Sequence, residues 1–469
     1  MSILKFTSSA DTTITDAFKP YTTNRAYYAN MGAADSLEIF SIVHSGSSPE
    51  KSRILVNFPI TEISASRSVG KLPQSGSVNF IFKLFNVAHT EILPRNYDVV
   101  VKPISGSWDE GYGLDLENYS DNGQTQTDGF GVGWKFKSTT DPVSVWASDG
   151  GDFYSGYDKV FHLDTGLEDI EIDITDIVED QISGMLAPNG IAVMLSGAYE
   201  DGTNNTTYYT KRFSARSSEY FYKTPRLEAR WETVTKDDRG DFYFSTPNLS
   251  TQDNDQSIYF YNKFGGILKN LPGSVLPLVK LEDENGNTII EDIASTLLST
   301  GIYKATVNIT GSEDAQLIDT WYSGSSVFHK GIVDAKVREF GDSYAQPDYV
   351  FSITNLKNSY KNYEFPTIKV FGREKNWSPN VYKIANSSIE VSTFKNLYYK
   401  IIRIVDNMTV IDYGIEPIPY TKCSYDKNGN YFDLDMSFFE PGYGYGIKLM
   451  LLDGQTKIEL PNIYRFKVE

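Results

Sequence analysis

Apolar and polar residues alternate with a period of two along most of the chain, and the period of a helix is almost absent. In Arg53-Ile54-Leu55-Val56-Asn57-Phe58-Pro59-Ile60, positions 54, 56, 58 and 60 are apolar and would share one face of a half-buried strand. The signal recurs at Val78, Phe80, Phe82 and Leu84, at Ile170, Ile172 and Ile174, and at Leu227, Ala229 and Trp231, with Gly, Pro, Asn and Asp clusters between. Many short strands punctuated by turns predict an all-β chain of sandwiches or jelly rolls. One short helix is expected from Asp176 to Gly184, with Asp176 as cap, Glu179 closing a capping box, and Val178 and Ile182 on one face.

Turn signals refine this into modules. Asn285-Gly286, Asp406-Asn407, Asn428-Gly429 and Asp453-Gly454 each separate two apolar runs with residues that tolerate positive φ, the mark of a hairpin. The charged stretch from Glu232 to Asp241, which contains Lys236-Asp237-Asp238-Arg239-Gly240, reads as a linker, and a second break is expected near Gly341 to Pro347. The expected division is a jelly-roll sandwich over residues 1–235, then two Ig-like β-sandwiches over 236–345 and 346–469. Thr300-Gly301-Ile302-Tyr303 resembles the tyrosine corner of Ig-like sandwiches, whose phenol bonds back to the turn, and Ala305 stands where a disulfide cysteine would be.

At 469 residues the chain is too long for one hydrophobic core. Its 43 Lys and Arg against 61 Asp and Glu leave a net charge of −18, a field that repels phosphate backbones and anionic lipid and argues against nucleic acid as a partner. The single cysteine, Cys423, cannot form an internal bridge, so the fold must hold without disulfides. The four histidines, His44, His89, His162 and His329, lack ligand spacing for zinc or iron and read as scattered surface or packing residues. The start, Met1-Ser2-Ile3-Leu4-Lys5-Phe6, reaches polar residues without an apolar core region, and no run of about 20 apolar residues follows. The expectation is a chain neither exported by a signal peptide nor inserted in a membrane, in which sequons such as Asn118-Tyr119-Ser120 and Asn308-Ile309-Thr310 carry no glycosylation argument.

Three constellations could carry chemistry. Trp108-Asp109-Glu110-Gly111 and Asp149-Gly150-Gly151-Asp152 supply paired carboxylates beside tryptophans, as a glycosidase or depolymerase needs, but acids in Gly-rich loops are equally ordinary turn residues. Gly-x-Ser-x-Gly, Walker and dinucleotide motifs are missing from the sequence, and the expectation is a protein that is not an enzyme and has no cofactor. Calcium is a candidate ligand for Asp149 and Asp152, since hard oxygen ligands suit such turns; Asp426 to Asp435 departs from a calcium loop and reads as a hairpin. Trp108, Trp134 and Trp146, in or beside Gly- and Asp-rich loops, are candidate glycan contacts through ring stacking, with core packing as the alternative. The 32 tyrosines suit protein contact surfaces.

Residues 1 to about 232 resemble the DNRLRE-type jelly roll, a relative of carbohydrate-binding modules. The likeness is carried by Ala10-Asp11-Thr12-Thr13-Ile14, by Ser52-Arg53-Ile54-Leu55-Val56-Asn57-Phe58, by Ser107-Trp108-Asp109-Glu110-Gly111 and by the Trp146 to Phe153 segment. Asp173-Ile174-Thr175-Asp176-Ile177-Val178, Phe213-Ser214-Ala215-Arg216-Ser217-Ser218 and Thr224-Pro225-Arg226-Leu227-Glu228-Ala229 complete it. No sugar-contact residue of that family can be placed on this chain, so sugar binding does not follow from the resemblance. The second half is similar to the Ig-like modules of tailed-bacteriophage virion proteins. That resemblance implies a non-enzymatic structural component of a virion, in its neck, tail, fibre base or capsid accessory shell. It would be assembled in the host cytoplasm and would contact other virion proteins and copies of itself in a symmetric assembly. The alternative is an adhesin that recognises host surface glycan.

Overall fold

A computed structural model describes every residue except Met1, 44–48, 91–94, 118–130, 139–142, 202, 204–207, 266, 339–348, 376–390 and 455. His44, the Asn118 sequon and the break expected near Gly341 to Pro347 lie outside the described residues. The chain is all-β and forms two compact units, Ser2–Glu232 and Thr233–Glu469.

The first unit is a jelly-roll sandwich of two antiparallel sheets. One has the order Ile3–Thr7, Arg226–Arg230, Asn79–Leu84, Ile170–Asp173. The other runs Tyr208–Ser214, Ser36–Ile42, Glu50–Asn57, Ile191–Leu195, Tyr97–Pro103, Lys159–Leu163, with Ala10–Thr15 also pairing to Glu50–Asn57. Alternate residues from both sheets fill the core between them: Ile54 and Val56, Val99 and Val101, Ile191 and Val193 from the larger sheet meet Phe80, Phe82, Leu227 and Ala229 from the smaller. Burying each such side chain favours folding by roughly 1.5–3 kcal/mol.

The larger sheet departs from the expected half-buried pattern, because its outer face is also covered. Leu55, Val100, Ala192 and Met194, the residues between the core positions, join Ile14, Ile104, Val132, Trp134 and Trp146 in a second cluster. The Glu50–Asn57 strand therefore carries three consecutive buried apolar residues; Phe58 lies past its end, and Ile60 opens a helix that the alternation did not signal, Ile60–Ser68. The one helix expected is present at Thr175–Ser183 but without its capping box: Ile174 occupies the cap position with no side-chain bond, and Gly184 ends the helix at φ 83°. Glu179 turns instead to the first helix, where Arg67 grips both its oxygens at 2.8 and 2.6 Å.

The second unit contains an Ig-like sandwich formed by one continuous sheet with the order Phe242–Tyr243, Ser326–Lys336, Ala315–Ser323, Leu278–Glu282, Thr288–Ser299, Ile302–Val307, Gln256–Tyr261. The 12-residue strand Thr288–Ser299 pairs with Leu278–Glu282 at one end and Ile302–Val307 at the other, so the sheet closes around Phe260, Val279, Tyr303, Ala305 and Trp321. Tyr303 is buried, and its hydroxyl accepts the Leu271 N–H at 2.7 Å, 32 residues upstream. Two further sheets form the other sandwich: Tyr349–Ile353, Thr367–Glu374, Gly429–Asp433, Ser424–Asp426, and a six-stranded sheet around Gly444–Asp453 and Leu397–Arg403. The Asn428-Gly429 and Asp453-Gly454 hairpins lie here, with Gly429 and Gly454 at positive φ.

The charged stretch after Trp231 is not a solvated linker. Thr235, Asp237, Asp238 and Arg239 are all buried. Residues 235–237 run beside the Ser424–Asp426 strand, with Tyr425 N–H donating to Thr235 O at 3.0 Å and Asp237 N–H to Tyr425 O at 3.1 Å. Arg239 reaches the other sandwich, giving Nη2 to Asp319 at 2.7 Å and Nη1 to Asp237 at 2.8 Å, while the Trp321 indole N–H also donates to Asp319 at 2.7 Å. Asp238 accepts from the Tyr425 hydroxyl at 2.9 Å and from the Ser257 N–H at 2.7 Å. The run is hydrophilic because it supplies ion pairs to a sealed junction, which a charge pattern alone cannot distinguish from solvation.

Candidate functional site

The covered outer face of the first unit's larger sheet is where the singled-out residues gather. Leu55, Val100, Ala192 and Met194 present a flat apolar floor, and the loops around 104–113 and 131–153 lay aromatic rings over it. Trp134 and Trp146 are each 4% exposed, and the Trp146 indole N–H donates to Gly133 O at 3.0 Å. Trp108 is half-buried, with its N–H on Asn189 O at 2.9 Å. Stacking on a pyranose needs an open ring face, and Trp134 and Trp146 have none to offer. Their role is to pack the loops onto the sheet, which corrects their reading as glycan contacts.

Arg53 stands at the edge of this cluster. It lies in the middle of the strand Glu50–Asn57 with its side chain on the loop-covered face, where the guanidinium lies 4.9 Å from the Trp134 ring and 5.5 Å from Phe153. Nε and Nη2 donate to Glu200 at 2.8 and 2.5 Å, and Nη1 donates to Gly150 O at 2.5 Å. Charge-assisted bonds between aromatic planes are stronger than the same bonds in water. Burial raises the Glu200 carboxyl above its ordinary value, against the opposing pull of Arg53. Gly150 adopts φ 88°, and a Cβ there would stand 2.5 Å from Arg53 Nη1 and 2.8 Å from Trp134, so the guanidinium requires glycine at this point of the loop.

Beside it opens a depression of about 510 Å³ lined by Arg53, Ser105, Ser148, Asp149, Asp152 and Phe153. Asp152 holds the loop by accepting the Ala147 and Ser148 N–H groups, both at 3.0 Å, and Asp149 faces Lys135 at 3.7 Å. Among the described residues no group of three His, Cys, Asp or Glu side chains converges as a metal site, and no third acid joins these two.

Glu110 belongs to a different cluster. Arg216 gives it Nη2 at 2.6 Å and Nε at 3.2 Å, and the Asp11 N–H donates to it at 2.8 Å. Asp11, 1% exposed, accepts the Arg216 N–H at 2.6 Å, and burial pushes its carboxyl up to about 7. Asn30, fully buried, clasps the same loop by donating to Glu110 O and Val132 O at 2.7 and 2.9 Å. The acids that sequence spacing offered as a catalytic pair thus serve two separate structural networks, and Asp109 is exposed at the loop surface.

The remaining histidines are dispersed. His162 bonds Asp98 at 2.6 Å, which raises its pKa, while His329 stacks on Phe260 at 5.5 Å and burial lowers it. Glu200, Ser105 and Phe153 escaped the sequence reading; the available signal was Arg53, a charge set against an apolar strand, which demands a carboxylate from elsewhere in the chain.

No protein-family model matches the chain, and no curated protein sequence does. Solved structures align only loosely. The Ig1-2 module of the Drosophila receptor protein tyrosine phosphatase DLAR is 12% identical over 46% of this chain and 91% of that one, with a TM-score of 0.14. Native Escherichia coli alpha-2-macroglobulin is 10% identical over 88% of this chain and 21% of its own length, with a TM-score of 0.16. A two-domain fibronectin type III segment of chicken tenascin is 10% identical over 42% and 87%, with a TM-score of 0.14. Superpositions this loose carry no functional inference.

Proposed function

We propose that the chain is a non-enzymatic structural component of a tailed-bacteriophage virion, in its neck, tail, fibre base or capsid accessory shell, and that it acts by gripping other virion proteins and copies of itself. The observation that carries this reading is apolar surface left uncovered on the 242–336 sandwich. The hairpin formed by Lys263–Phe264 and Ile267–Leu268 presents Phe264 at 74% and Ile267 at 66% exposure. Leu297, Leu298, Val327 and Ile332 are also exposed on their strands. Covering large apolar side chains that stand in water lowers the free energy. The engagement of Glu110 by Arg216 and of Asp152 by backbone N–H groups also favours a binding role over a hydrolytic one.

Antibody against the chain is expected to label intact particles in electron micrographs. Phe264→Ser combined with Ile267→Ser is expected to leave the melting temperature unchanged while reducing incorporation into particles. Unlabelled virions would sink the proposal. A second reading, recognition of host surface glycan, is favoured by the open depression beside Phe153, whose hydroxyls and carboxylates suit sugar hydroxyl groups. Glycan binding abolished by Asp149→Ala would support it.

A further inference from the structure

Lys211 sits where a lysine is costly. In the strand Tyr208–Ser214 it shares a face with Phe213, and the two are 1% and 0% exposed. Its Nζ donates to Gly166 O at 2.8 Å, to Glu168 O at 3.0 Å and to the side-chain oxygen of Asn86. Asn86 follows the strand Asn79–Leu84 and is itself pinned, with its N–H on Asp169 at 2.7 Å. Val87 N–H donates to Arg212 O at 3.0 Å and Ser214 N–H to Phe85 O at 2.9 Å, so backbone bonds on either side hold the two segments together. An amine on the edge strand of the larger sheet and a carboxamide on the segment that follows the smaller sheet's Asn79–Leu84 and bridges to Phe213 are thereby fixed next to each other.

The surroundings favour reaction between them. Burial pulls the Lys211 amine down to about 8, against the opposing pull of the Glu168 and Asp169 carboxylates, so the free-base form is accessible near neutrality. Glu168 is oriented by Thr165, whose N–H and hydroxyl bind one carboxylate oxygen at 2.6 and 2.7 Å. The other oxygen is buried with no partner, as is the Tyr97 hydroxyl. Burial, reinforced by the charge of Glu168, raises the Tyr97 phenol. Although burial opposes it, the hydrogen bonds from Thr165 hold the Glu168 carboxyl down to about 2, so it stays ionised and its spare oxygen is available to pass a proton on.

We propose that Lys211 and Asn86 condense into an intramolecular isopeptide bond. The neutral Nζ attacks the Asn86 side-chain carbonyl carbon, a C–N bond forms, and the bond to the amide nitrogen breaks. Glu168 carries the proton lost by the attacking nitrogen to the departing one, which leaves as ammonia; no oxidant, reductant or co-reactant is required. Fixed proximity supplies most of the rate, as in other intramolecular acyl transfers. The bond would staple the edge strand of the larger sheet to the segment that leaves the smaller sheet after Leu84 and close a loop between positions 125 residues apart, restricting the unfolded chain. This inference is independent of the proposed function.

Mass spectrometry of the denatured full-length chain tests it. Loss of one ammonia predicts a mass about 17 Da below that of the sequence, and tryptic digestion should yield a branched peptide joining residues 86 and 211. Lys211→Arg and Glu168→Gln are expected to show no deficit after allowance for the substituted side chain. A wild-type chain at full mass, a linear tryptic peptide containing Asn86, or a deficit that survives Lys211→Arg would overturn the proposal. The wild-type measurement decides the matter even where a variant fails to fold.

Discussion

Arg53 in the first unit and Arg239 in the second solve the same problem differently. Each guanidinium is withdrawn from water and each must be neutralised. Arg239 has two carboxylates, Asp237 and Asp319, with the latter fully buried and further bound by Trp321. Arg53 has one, Glu200, and fills the rest of its shell with a backbone carbonyl and two aromatic faces. The first arrangement is sealed and its bonds are all internal to the fold. The second leaves a polar rim of Ser105, Ser148, Asp149 and Asp152 open to solvent, where a ligand could reach. The same residue type therefore locks one region and borders an accessible surface in the other, and what decides is how many of its neighbours are themselves buried.

Breaking the sealed arrangement should have the largest effect. Arg239→Ala leaves Asp237 and Asp319 buried without a counter-charge, and removal of one partner from a buried ion pair costs about 3–5 kcal/mol. Chemical denaturation of the full chain is expected to show this loss. A change below about 1 kcal/mol would mean that water enters the junction and that the contrast with Arg53 is false.

A buried acid with an incomplete complement sharpens the contrast through pH. Asp11 has its carboxyl raised from 3.8 to about 7, chiefly by burial. Between those values the folded chain holds a proton that the unfolded chain has released, so stability from this group falls as pH rises through the window and the full cost is present above it. That rise in pKa corresponds to a ceiling of about 4 kcal/mol. Asp11→Asn keeps an oxygen for the Arg216 N–H but cannot ionise. Its stability relative to wild type is expected to increase from pH 4 to pH 8, as read from melting temperatures; a difference independent of pH would show that Asp11 titrates normally.

Arg53→Ala should cost less than Arg239→Ala, because it strands one carboxylate, Glu200, where Arg239→Ala strands two. Loss of a charged hydrogen-bond set at a half-buried site gives about 2 kcal/mol. The Gly150 loop should also become sensitive to protease, since its carbonyl loses the Nη1 donor. Equal destabilisation by the two arginine substitutions would erase the distinction.

Much of this architecture was legible as alternation. Val78, Phe80, Phe82 and Leu84 face the core as their spacing implies, and so do Leu227, Ala229 and Trp231. Period two reveals one buried face, but it could not reveal that Leu55, Val100 and Ala192 meet a second cluster, because the loops that cover Leu55, around 104–113 and 131–153, come from far along the chain. The helix Ile60–Ser68 buries only Ile60 and Ile63, too few for a helical period to register. The tryptophans were correctly tied to the Gly-rich loops, yet whether a ring faces in or out depends on what lies beneath the loop. Charge was the least legible signal: Asp237, Asp238 and Arg239 look like a solvated run until Asp319 and Tyr425 supply partners from 80 and 187 positions away.

The smallest expected effect concerns the rim of the open region. Asp152 accepts two N–H bonds that close the loop beside the depression, and both belong to a site partly open to water, so Asp152→Ala should lower stability by about 1 kcal/mol. Because each carboxylate oxygen is already directed at a backbone donor, added calcium is expected to leave the wild-type melting temperature unchanged. A calcium-dependent rise that disappears in Asp152→Ala would show instead that the loop exchanges its internal donors for a cation. The open arrangement would then be a ligand site in its own right, and the contrast with the sealed Arg239 junction would become one of function as well as of packing.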